Sequence, residues 1–332
     1  MKLTYFFISL TLLGTTTVYL DPNADNNLDV LAFQQFKKTF NKQYQSQVEE
    51  SYRFSVFLEN LKIIQQHNAD VTKTYTQEVN QFCDLTIEEF KARHLVKPFP
   101  SLKNKKNSAL NLRTSVTATT SQPIDWSTKN VLPAVKNQQQ CGSMWAFSTA
   151  GLLESVYNIQ NKPKTPISFS EQQLVDCCGA EGFGCEGCNG AWPTDAVSYV
   201  QKFGIVQENQ YPYIAKDGNC NKTLENVGFK PSKQFQLPVT DAALQAALQN
   251  SPISIVVDAS QWNSYASGVF PQSKCSSDPN AADHAVLLVG YNSDGTWKVR
   301  NSWGTSWGQK GYITLAAGNT CGLENYAIQV TY

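Results

Sequence analysis

The sequence lacks several features that would point directly to a class of function. Acidic and basic side chains balance at 27 each, so charge suggests neither nucleic acid nor an anionic membrane as a partner. Apart from one short run at the N-terminus, no apolar stretch approaches the roughly 20 residues that cross a bilayer. There is also no internal repeat or low-complexity region, so nothing favours a structural or matrix protein.

Histidine and methionine are scarce, with three histidines in the chain and two methionines. His284 is the only histidine after residue 120, and Met144 is the only methionine after Met1. A histidine acting as general base in the C-terminal part must therefore be His284. A lone histidine at a strand start is more often structural than catalytic, so the surrounding sequence has to decide its role.

Cysteine, by contrast, is abundant, and the nine cysteines with Gly-rich spacing indicate disulfides formed in an oxidising compartment. The N-terminus agrees with that compartment. Lys2 precedes a short apolar run, 5–13, and small residues follow it, which is typical of a secretory signal peptide. We assign residues 1–20 to the signal, in preference to a buried N-terminal helix. The protein is then expected in the secretory pathway, in a lysosome-like acidic vesicle or outside the cell.

Residues 28–95 carry helical periodicity. Six of their side chains are spaced so that they form one stripe on one helix, and these are Glu49, Arg53, Phe57, Asn60, Ile64 and Asn68. A stripe that mixes charged, amide and apolar groups suits a helix packed inside a small domain with polar contacts. A shorter pattern follows in Asn80, Phe82 and Asp84, and Cys83 between them is the odd cysteine.

From Pro98 to about Ser121 the chain is polar, which predicts an exposed linker open to proteolysis. Beyond it, the first half has helical patterns, including 195–203. The second half has a helix at 241–249, followed by strand-like runs at 253–257, 285–289 and 297–300. A helical half and a β-rich half predict an α+β protein with two subdomains and a cleft between them.

One stretch, 138–148, combines a loop with the start of a helix, and Met144 lies at that start. The free N–H groups and the dipole of a helix N-terminus stabilise an anion, such as a cysteine thiolate. A thioether has no proton to lose, so Met144 cannot ionise or act as an acyl-carrying nucleophile. The alternative is a methionine that simply fills an apolar gap.

This stretch resembles the nucleophile segment of papain and cathepsin L-like cysteine peptidases, in which position 144 is a cysteine. The six-residue stripe resembles the ERFNIN motif of their inhibitory propeptide, and residues 80–84 resemble a second propeptide motif in part, with Glu78 in place of a glycine. The resemblance implies the papain-like fold, a helical half and a β-barrel-like half, preceded by a helical propeptide. It divides the chain into a signal peptide, 1–20, an inhibitory propeptide with linker, 21–119, and a peptidase domain, 120–332. It also implies that the propeptide runs through the cleft in reverse direction and blocks it.

The resemblance also implies catalytic roles. The sequences around His284 and Asn301 match the family, so His284 is the expected general base and Asn301 the residue that orients it, with Trp303 as a shield. Gln138 is the expected side chain of the oxyanion hole. Gln139 replaces a usual glycine, so the backbone of the loop is expected to differ slightly.

Eight cysteines of the C-terminal part could pair in 105 ways by spacing alone. The resemblance implies the pairs Cys141 with Cys188, Cys177 with Cys220, and Cys275 with Cys321; Cys178 and Cys185 are left over, and we predict that they pair. Zinc binding at residues 177–188 is the alternative, and no nearby histidine supports it. Cys83 is expected to be a buried thiol rather than a route to intermolecular pairing.

Two further sets of residues follow from the resemblance. The pocket for the second residue before the scissile bond is lined by Trp192, Pro193, Val256, Ala282 and Tyr326. Backbone hydrogen bonds to an extended peptide come from Asn189, Gly190 and Ala191. Because the pocket residues carry no charge, a hydrophobic side chain is the expected preference.

The sequence thus predicts a cathepsin L-like cysteine endopeptidase zymogen that acts on proteins or peptides and is inhibited by its own propeptide. It is expected to be a monomer without metal, cofactor, nucleic acid or membrane as partner. With Met144 at the nucleophile position, this exact chain is expected to be inactive. The alternative is a natural non-catalytic homologue, a secreted protein that binds peptides or has a structural role.

Overall fold

The structure is a computed structural model that describes residues 24–96, 99, 111–112 and 122–332. The predicted signal peptide and most of the predicted linker lie outside these residues. The chain divides into a first unit, 1–44, and a second unit, 45–332. Within the described ranges, no helix has the length and apolar character needed to cross a membrane.

In the first unit, the described residues form helix α1, Ala24–Thr39. Phe33 and Phe36 stack with their ring centroids 6.0 Å apart. The helix is followed by Asn41, whose φ of 50° is a left-handed conformation that Asn adopts more readily than most residues.

The second unit begins with helix α2, Gln47–Ala69, which Ser46 caps by accepting a hydrogen bond from the Glu49 N–H at 3.1 Å. The stripe predicted on this helix holds the segment that follows it. Arg53 donates to the Asp84 carbonyl at 3.0 Å and pairs with Glu89 at 2.7 Å. Asn60 donates to the two carbonyls that flank Asp84, both at 2.9 Å. The polar members of the stripe therefore fix the chain that leads toward the cleft.

The remaining helices of the second unit are α3 Ile87–His94, α4 Met144–Asn161, α5 Glu171–Cys177, α6 Pro193–Phe203 and α7 Asp241–Leu248. Helix α3 begins with a complete capping box of Thr86 and Glu89. Helix α6 begins two residues before the predicted start because Pro193 occupies its first turn, where its fixed φ fits a helix. Helix α7 ends one residue before the predicted end.

The strands are β1 Tyr75–Gln77, β2 Asn111–Leu112, β3 Ile124–Asp125, β4 Lys233–Gln236, β5 Ile253–Val257, β6 Tyr265–Phe270, β7 His284–Tyr291, β8 Trp297–Arg300, β9 Tyr312–Leu315 and β10 Ala327–Thr331. They join in the order β1-β6-β9-β8-β7-β5-β10-β4-β2, and β3 pairs with β7. Strand β7 is longer than the predicted run, and all of its residues are buried. It pairs antiparallel with both β5 and β8.

Two buried apolar clusters form the core of the second unit. One contains mainly residues of α4, α5 and α6, and the other contains residues of the sheet together with Trp262, Trp303 and Trp307. The clusters meet where α4 packs against β7. This arrangement is the mixed α+β papain-like fold with a helical propeptide that the sequence predicted.

Disulfides tie the loops around the helical cluster and one loop of the sheet. The four bonds are Cys141–Cys188, Cys177–Cys220, Cys178–Cys185 and Cys275–Cys321, the same pairs named from the sequence. The four cysteines within 177–188 are thus all oxidised, and none of them offers a thiolate to a metal. Cys83 is buried in the propeptide segment, with its sulfur 4.0 Å from the Phe57 carbonyl oxygen.

The expectation of an exposed linker after Pro98 fails at Phe99, which is buried at 5 % exposure. Its backbone N–H donates to the Ala282 carbonyl at 2.9 Å, so the chain is still docked at this point. Residues 111–112 pair with β4 in parallel register as strand β2. The rest of the predicted linker up to residue 121 lies outside the described residues.

Candidate active site

Helix α4 begins at Met144, which is completely buried. Ser143 precedes it without a side-chain cap, and its hydroxyl instead lies 2.6 Å from the hydroxyl of Tyr213. Tyr213 in turn donates to the Gln138 carbonyl at 2.8 Å. The loop before the helix is therefore held by one tyrosine, and the first N–H groups of the helix are not used by a capping side chain.

Gln138 is fully buried, and its side chain is oriented by the strand half of the molecule. Its Oε1 accepts a hydrogen bond from the Ser302 hydroxyl at 2.7 Å. This fixes the amide so that Nε2 donates to the Cys141 carbonyl and to the His94 carbonyl, both at 3.2 Å. His94 ends α3, so a carbonyl oxygen of the propeptide segment already lies on this donor. Gln139 adopts φ of 57°, a left-handed conformation that glycine favours, so the residue that replaces the usual glycine keeps a glycine-type backbone.

His284 is the first residue of β7 and is also completely buried. Its Nε2 lies 2.8 Å from the Oδ1 of Asn301, which also accepts a hydrogen bond from the Ser302 N–H at 2.7 Å. Because Oδ1 can only accept, Nε2 carries the proton and Nδ1 keeps its lone pair. Nδ1 has no hydrogen-bond partner among the described residues. The indole of Trp303 stacks on the imidazole at 4.8 Å between centroids and shields this pair from water.

Helix α4 and strand β7 run side by side in the same direction. The Ser148 hydroxyl donates to the Val286 carbonyl at 2.7 Å. Further along both elements, a Cβ placed on Gly151 would lie 3.2 Å from a methyl group of Leu287. Later residues of α4 therefore contact later residues of β7, as expected for two elements that run in the same direction.

The same alignment of α4 with β7 extends to the first residue of each element. Met144 is one helical turn before Ser148, and His284 is two residues before Val286 on the same face of the strand. Four residues of helix and two residues of strand cover nearly equal lengths, each about 6 Å. Met144 and His284 therefore lie at the same end of the helix and the strand. Val96 bridges this end: its N–H donates to the Asp283 carbonyl at 3.1 Å, and its methyl group lies 3.3 Å from a Cβ placed on Gly142.

Burial dominates the electrostatics of this strand. It lowers the pKa of His284 to about 4, the hydrogen bond with Asn301 works in the opposite direction, and the charge of His94 lowers it further. Burial likewise raises the pKa of the neighbouring Asp283 to about 8, although its carboxyl accepts a hydrogen bond from the Ala259 N–H. With Val96 and Phe99 docked against this strand, His284 is therefore neutral at mildly acid pH and Asp283 is protonated.

The five residues predicted to line a hydrophobic pocket are all buried, and four of them, Trp192, Val256, Ala282 and Tyr326, belong to one apolar cluster. The Tyr326 ring lies 4.6 Å from Trp192 by centroids, and its hydroxyl accepts from the Thr194 N–H at 3.2 Å. Phe99 packs against Trp192 at 4.7 Å, within the same apolar cluster. Phe99 thus packs among the residues predicted to line the pocket.

Val96 lies close to Gly190, one of the predicted residues Asn189, Gly190 and Ala191. A Cβ on Gly190, at φ of 114°, would lie 2.9 Å from a methyl group of Val96, so only glycine permits this approach. The Gly190 backbone, however, bonds within its own loop, to 186 and 187. The backbone N–H groups of Val96 and Phe99 donate instead to the carbonyls that precede His284, at 3.1 and 2.9 Å.

The propeptide segment also encloses Trp303. Phe82 and Phe90 meet the indole edge to face, with centroids 5.5 and 5.3 Å away. Gln81 donates to the Trp303 carbonyl at 2.7 Å and accepts from the Ser306 hydroxyl at 2.9 Å. The same indole that covers His284 is therefore the docking point of the propeptide.

Sequence reasoning missed a buried charged group that sets the position of Gln138. Lys136 pairs with Glu154 of α4 at 3.0 Å and with Glu171 of α5 at 2.6 Å. Burial opposes the charge of Lys136, but the two carboxylates outweigh it and raise its pKa. The Lys136 carbonyl accepts from the Gly304 N–H at 2.9 Å, which aligns 136–138 with the loop after β8. Three charged residues so far apart in sequence give no local pattern that could reveal this group.

It also missed His94 and Phe99. The His94 ring packs at a tilt against Phe82, with centroids 4.6 Å apart, and its Nδ1 lies 3.0 Å from the Gln139 carbonyl oxygen. Phe99 had a visible signal, because it is an aromatic residue between two prolines at the start of an otherwise polar stretch. His94 had none beyond its place in the last turn of a helix.

Comparisons with known proteins agree with this geometry. A family model described as papain family cysteine protease matches residues 120–331. A second, described as cathepsin propeptide inhibitor domain (I29), matches residues 33–90.

Individual relatives cover nearly the whole chain. The chain is 40 % identical to Cathepsin L 2 of Paramecium tetraurelia over 87 % of this chain and 88 % of that protein. It is 36 % identical to Procathepsin L of Mus musculus over 96 % of each. The structure of digestive procathepsin L 3 of Tenebrio molitor larval midgut superimposes with a TM-score of 0.81 at 32 % identity, covering 92 % of this chain and 99 % of that one. The chain therefore belongs to the papain family of cysteine proteases, with cathepsin L-like relatives and a cathepsin-type propeptide inhibitor domain.

Proposed function

We propose that this chain is a cathepsin L-like endopeptidase zymogen in which Met144 has replaced the nucleophilic cysteine, so that it binds peptides without hydrolysing them. The observation that carries the proposal is the position of Met144. It lies at the start of α4, six residues after Gln138, and Val96 bridges the nearby Gly142 to the carbonyl that precedes His284. The hydrogen bond between His284 and Asn301 and the oriented amide of Gln138 support the proposal.

A cysteine at position 144 would complete a nucleophilic mechanism. Its thiol proton passes to Nδ1 of His284, and the thiolate attacks the carbonyl carbon of the scissile peptide. The oxygen, now negative, takes hydrogen bonds from Gln138 Nε2 and the backbone N–H of residue 144. The imidazolium then protonates the leaving amine, and an acyl-enzyme remains. Water, deprotonated by His284, attacks this thioester and releases the acid, which restores the thiol.

Methionine cannot enter this sequence. Its sulfur carries two carbon substituents and no proton, so attack on a carbonyl would produce a sulfonium rather than a neutral thioester. The backbone N–H of residue 144 and the Gln138 side chain are unaffected by the substitution. The chain would therefore keep its capacity to bind a peptide carbonyl while losing the chemical step.

The pocket supports a preference for a hydrophobic residue at the second position before the scissile bond. Its lining has no charge, and Phe99 of the propeptide packs against Trp192 within it. Full burial of such a ring is worth about 1.5–3 kcal/mol, which a charged side chain could not gain there.

The proposal extends to the organisation of the chain. Residues 1–20 are removed as a signal peptide, 21–119 form the inhibitory propeptide with its linker, and 120–332 form the peptidase domain. The disulfides support passage through the secretory pathway, to an acidic vesicle or to the outside of the cell. We expect a monomer whose ligands are peptides and its own propeptide, without nucleic acid, membrane, metal or cofactor.

A specific observation favours the second candidate, a natural non-catalytic homologue. Met144 is completely buried in the apolar cluster that also contains Trp145 and Phe99. A long apolar side chain is thus accommodated within the buried apolar cluster at this position. On this view the cleft functions as a peptide receptor.

The test is hydrolysis of a fluorogenic peptide with leucine at the second position, at pH 5, by the chain as written and by Met144→Cys. The propeptide is first cleaved from both by an added protease that is then inhibited. We expect no measurable hydrolysis by the first and rapid hydrolysis by the second, abolished by a thiol alkylator.

The matched control is Met144→Ser, which restores a small polar side chain at the helix start without a thiol. It should remain inactive. Absence of hydrolysis by a folded Met144→Cys chain would show that the cleft has diverged beyond its nucleophile, and would leave only the receptor proposal.

A further inference from the structure

The start of α4 presents hydrogen-bond donors of the kind that bind an anion. In cysteine peptidases of this kind the helix N-terminus stabilises the thiolate, and the hydrogen-bond donors around it stabilise the oxyanion. Here the donors remain. Gln138 Nε2 is aimed into the cleft and holds the carbonyl oxygen of His94 at 3.2 Å. The N–H of Met144 opens an 18-residue helix and has no acceptor among the described residues.

A second observation points to a ligand at the same place. His284 is completely buried, and its Nδ1 is without a partner among the described residues. Asn301 holds the opposite nitrogen. The starts of β7 and α4 face each other across Val96, whose N–H donates to the Asp283 carbonyl at 3.1 Å and whose methyl group lies 3.3 Å from a Cβ placed on Gly142. A neutral imidazole with a free lone pair can take up a proton when an anion arrives, and it then becomes a third donor to that anion.

The thioether changes which ligands are admitted. A thiolate at this position repels a second anion bound beside it, and more strongly where water is excluded from the site. Met144 carries no charge and removes that repulsion. The neighbouring carboxyl of Asp283 is turned toward the Ala259 N–H, and its raised pKa keeps it neutral at acid pH. No fixed negative charge among these groups then opposes an incoming carboxylate.

We propose that this cleft is a receptor for peptides that end in a free carboxylate and carry a hydrophobic residue in the penultimate position. The terminal carboxylate lies on Gln138 Nε2 and the Met144 N–H, facing His284, and the penultimate side chain enters the pocket now filled by Phe99. Such peptides are the products that an endopeptidase of the same preference releases. The inference rests on the proposed function for its cleft and pocket, and it adds the class of ligand.

The test compares two fluorescent peptides of identical sequence with leucine in the penultimate position, one ending in a carboxylate and one in a carboxamide. Their affinities for the full-length chain carrying Phe99→Ala are measured by anisotropy. The propeptide competes with both peptides equally, so the ratio of the two affinities is independent of that competition. Because hydrogen bonds to a charged acceptor are stronger, we expect the carboxylate peptide to bind about tenfold more tightly.

Two variants of nearly equal size at position 144 isolate the charge. Met144→Gln should keep the preference for the carboxylate, whereas Met144→Glu should abolish it, because its own carboxylate occupies the anion site. Binding of the carboxamide peptide reports in every variant whether the cleft is folded.

The outcomes separate the two proposals. Equal affinity for the two peptides would overturn the inference while leaving the proposed peptide cleft intact. Failure of both peptides to bind, in a chain whose propeptide anchor has been removed, would overturn the inference and the receptor part of the proposed function together. Hydrolysis by the Met144→Cys chain tests the protease scaffold independently of either binding result.

Discussion

The two sides of the cleft differ in what they retain. On the strand side, His284, Asn301 and Trp303 form a buried and hydrogen-bonded group. On the helix side, α4 keeps its position and its free N–H groups but begins with a thioether. The difference teaches that the scaffold and the reacting atom are separable here. Gln138 is positioned by Ser302 and by the backbone of Lys136, and neither contact involves the side chain of residue 144.

If the strand side is a functional base waiting for a thiol, its importance should appear only once the thiol is restored. In the Met144→Cys chain, His284→Ala should lower kcat/KM by about 10²–10⁴, the usual range for a general base. In the chain as written, the same change should leave hydrolysis at background. The measurement is fluorogenic peptide hydrolysis at pH 5 after removal of the propeptide.

Titration of the new thiol and the melting temperature of each variant serve as controls. A double variant that hydrolyses as fast as Met144→Cys would mean that another group takes the proton, and that the strand side is only structural.

A smaller effect is expected where the propeptide bridges both sides of the cleft. Phe99→Ala removes a ring buried against Trp192, at a cost of about 1.5–3 kcal/mol in docking. The amide of Val96, which donates to the Asp283 carbonyl at 3.1 Å, should then exchange its hydrogen about 10- to 150-fold faster. Hydrogen exchange by mass spectrometry checks this.

The matched control is Ile63→Ala, since Ile63 lies on α2 of the same propeptide and is 49 % exposed. It should leave exchange at Val96 unchanged. If the Val96 amide exchanges at the same rate in the Phe99→Ala chain as in the unaltered chain, the contacts around Trp303 hold the segment and the packing of Phe99 is not needed.

Contacts within one helix or one hairpin could be predicted from the sequence, because local spacing of residue types determines them. His284 and Asn301 are close because β7 and β8 form a hairpin, and both strands were visible as apolar runs. The six-residue stripe was visible because helical spacing places its members on one face. These parts of the fold and the site follow from local patterns.

Contacts made by packing separate elements could not be predicted in the same way. The approach of His94 to Gln138 depends on how α3 docks on Trp303, and no spacing in the sequence encodes that docking. The charged group around Lys136 joins three elements whose relative positions are set by the core. The burial of Phe99 was masked by the polar composition of its surroundings, on which the prediction of an exposed linker relied.

The smallest expected effect concerns stability on the strand side. Burial, aided by the charge of Asp258, raises the pKa of Asp283 to about 8, whereas an unfolded chain has an ordinary aspartate near 3.9. Between about pH 4 and pH 8 the folded state holds a proton that the unfolded state has lost, so stability falls as the pH rises through this window. Glu324, whose pKa burial and Asp241 raise to about 8, acts in the same direction.

Asp283→Asn keeps an oxygen that can accept from the Ala259 N–H but cannot ionise. It should therefore leave the melting temperature at pH 4 nearly unchanged and raise it at pH 8 by at least about 2 °C relative to the unaltered chain. Calorimetry across pH 4–8 measures the slope of melting temperature against pH for both chains. Glu324→Gln removes the other carboxyl with a raised pKa in the strand half and provides an independent comparison. If the slope of the Asp283→Asn chain matches that of the unaltered chain, the carboxyl beside His284 is ionised at neutral pH. The cleft would then carry a fixed negative charge next to the site proposed for a carboxylate, and the preference for such ligands should weaken as the pH rises.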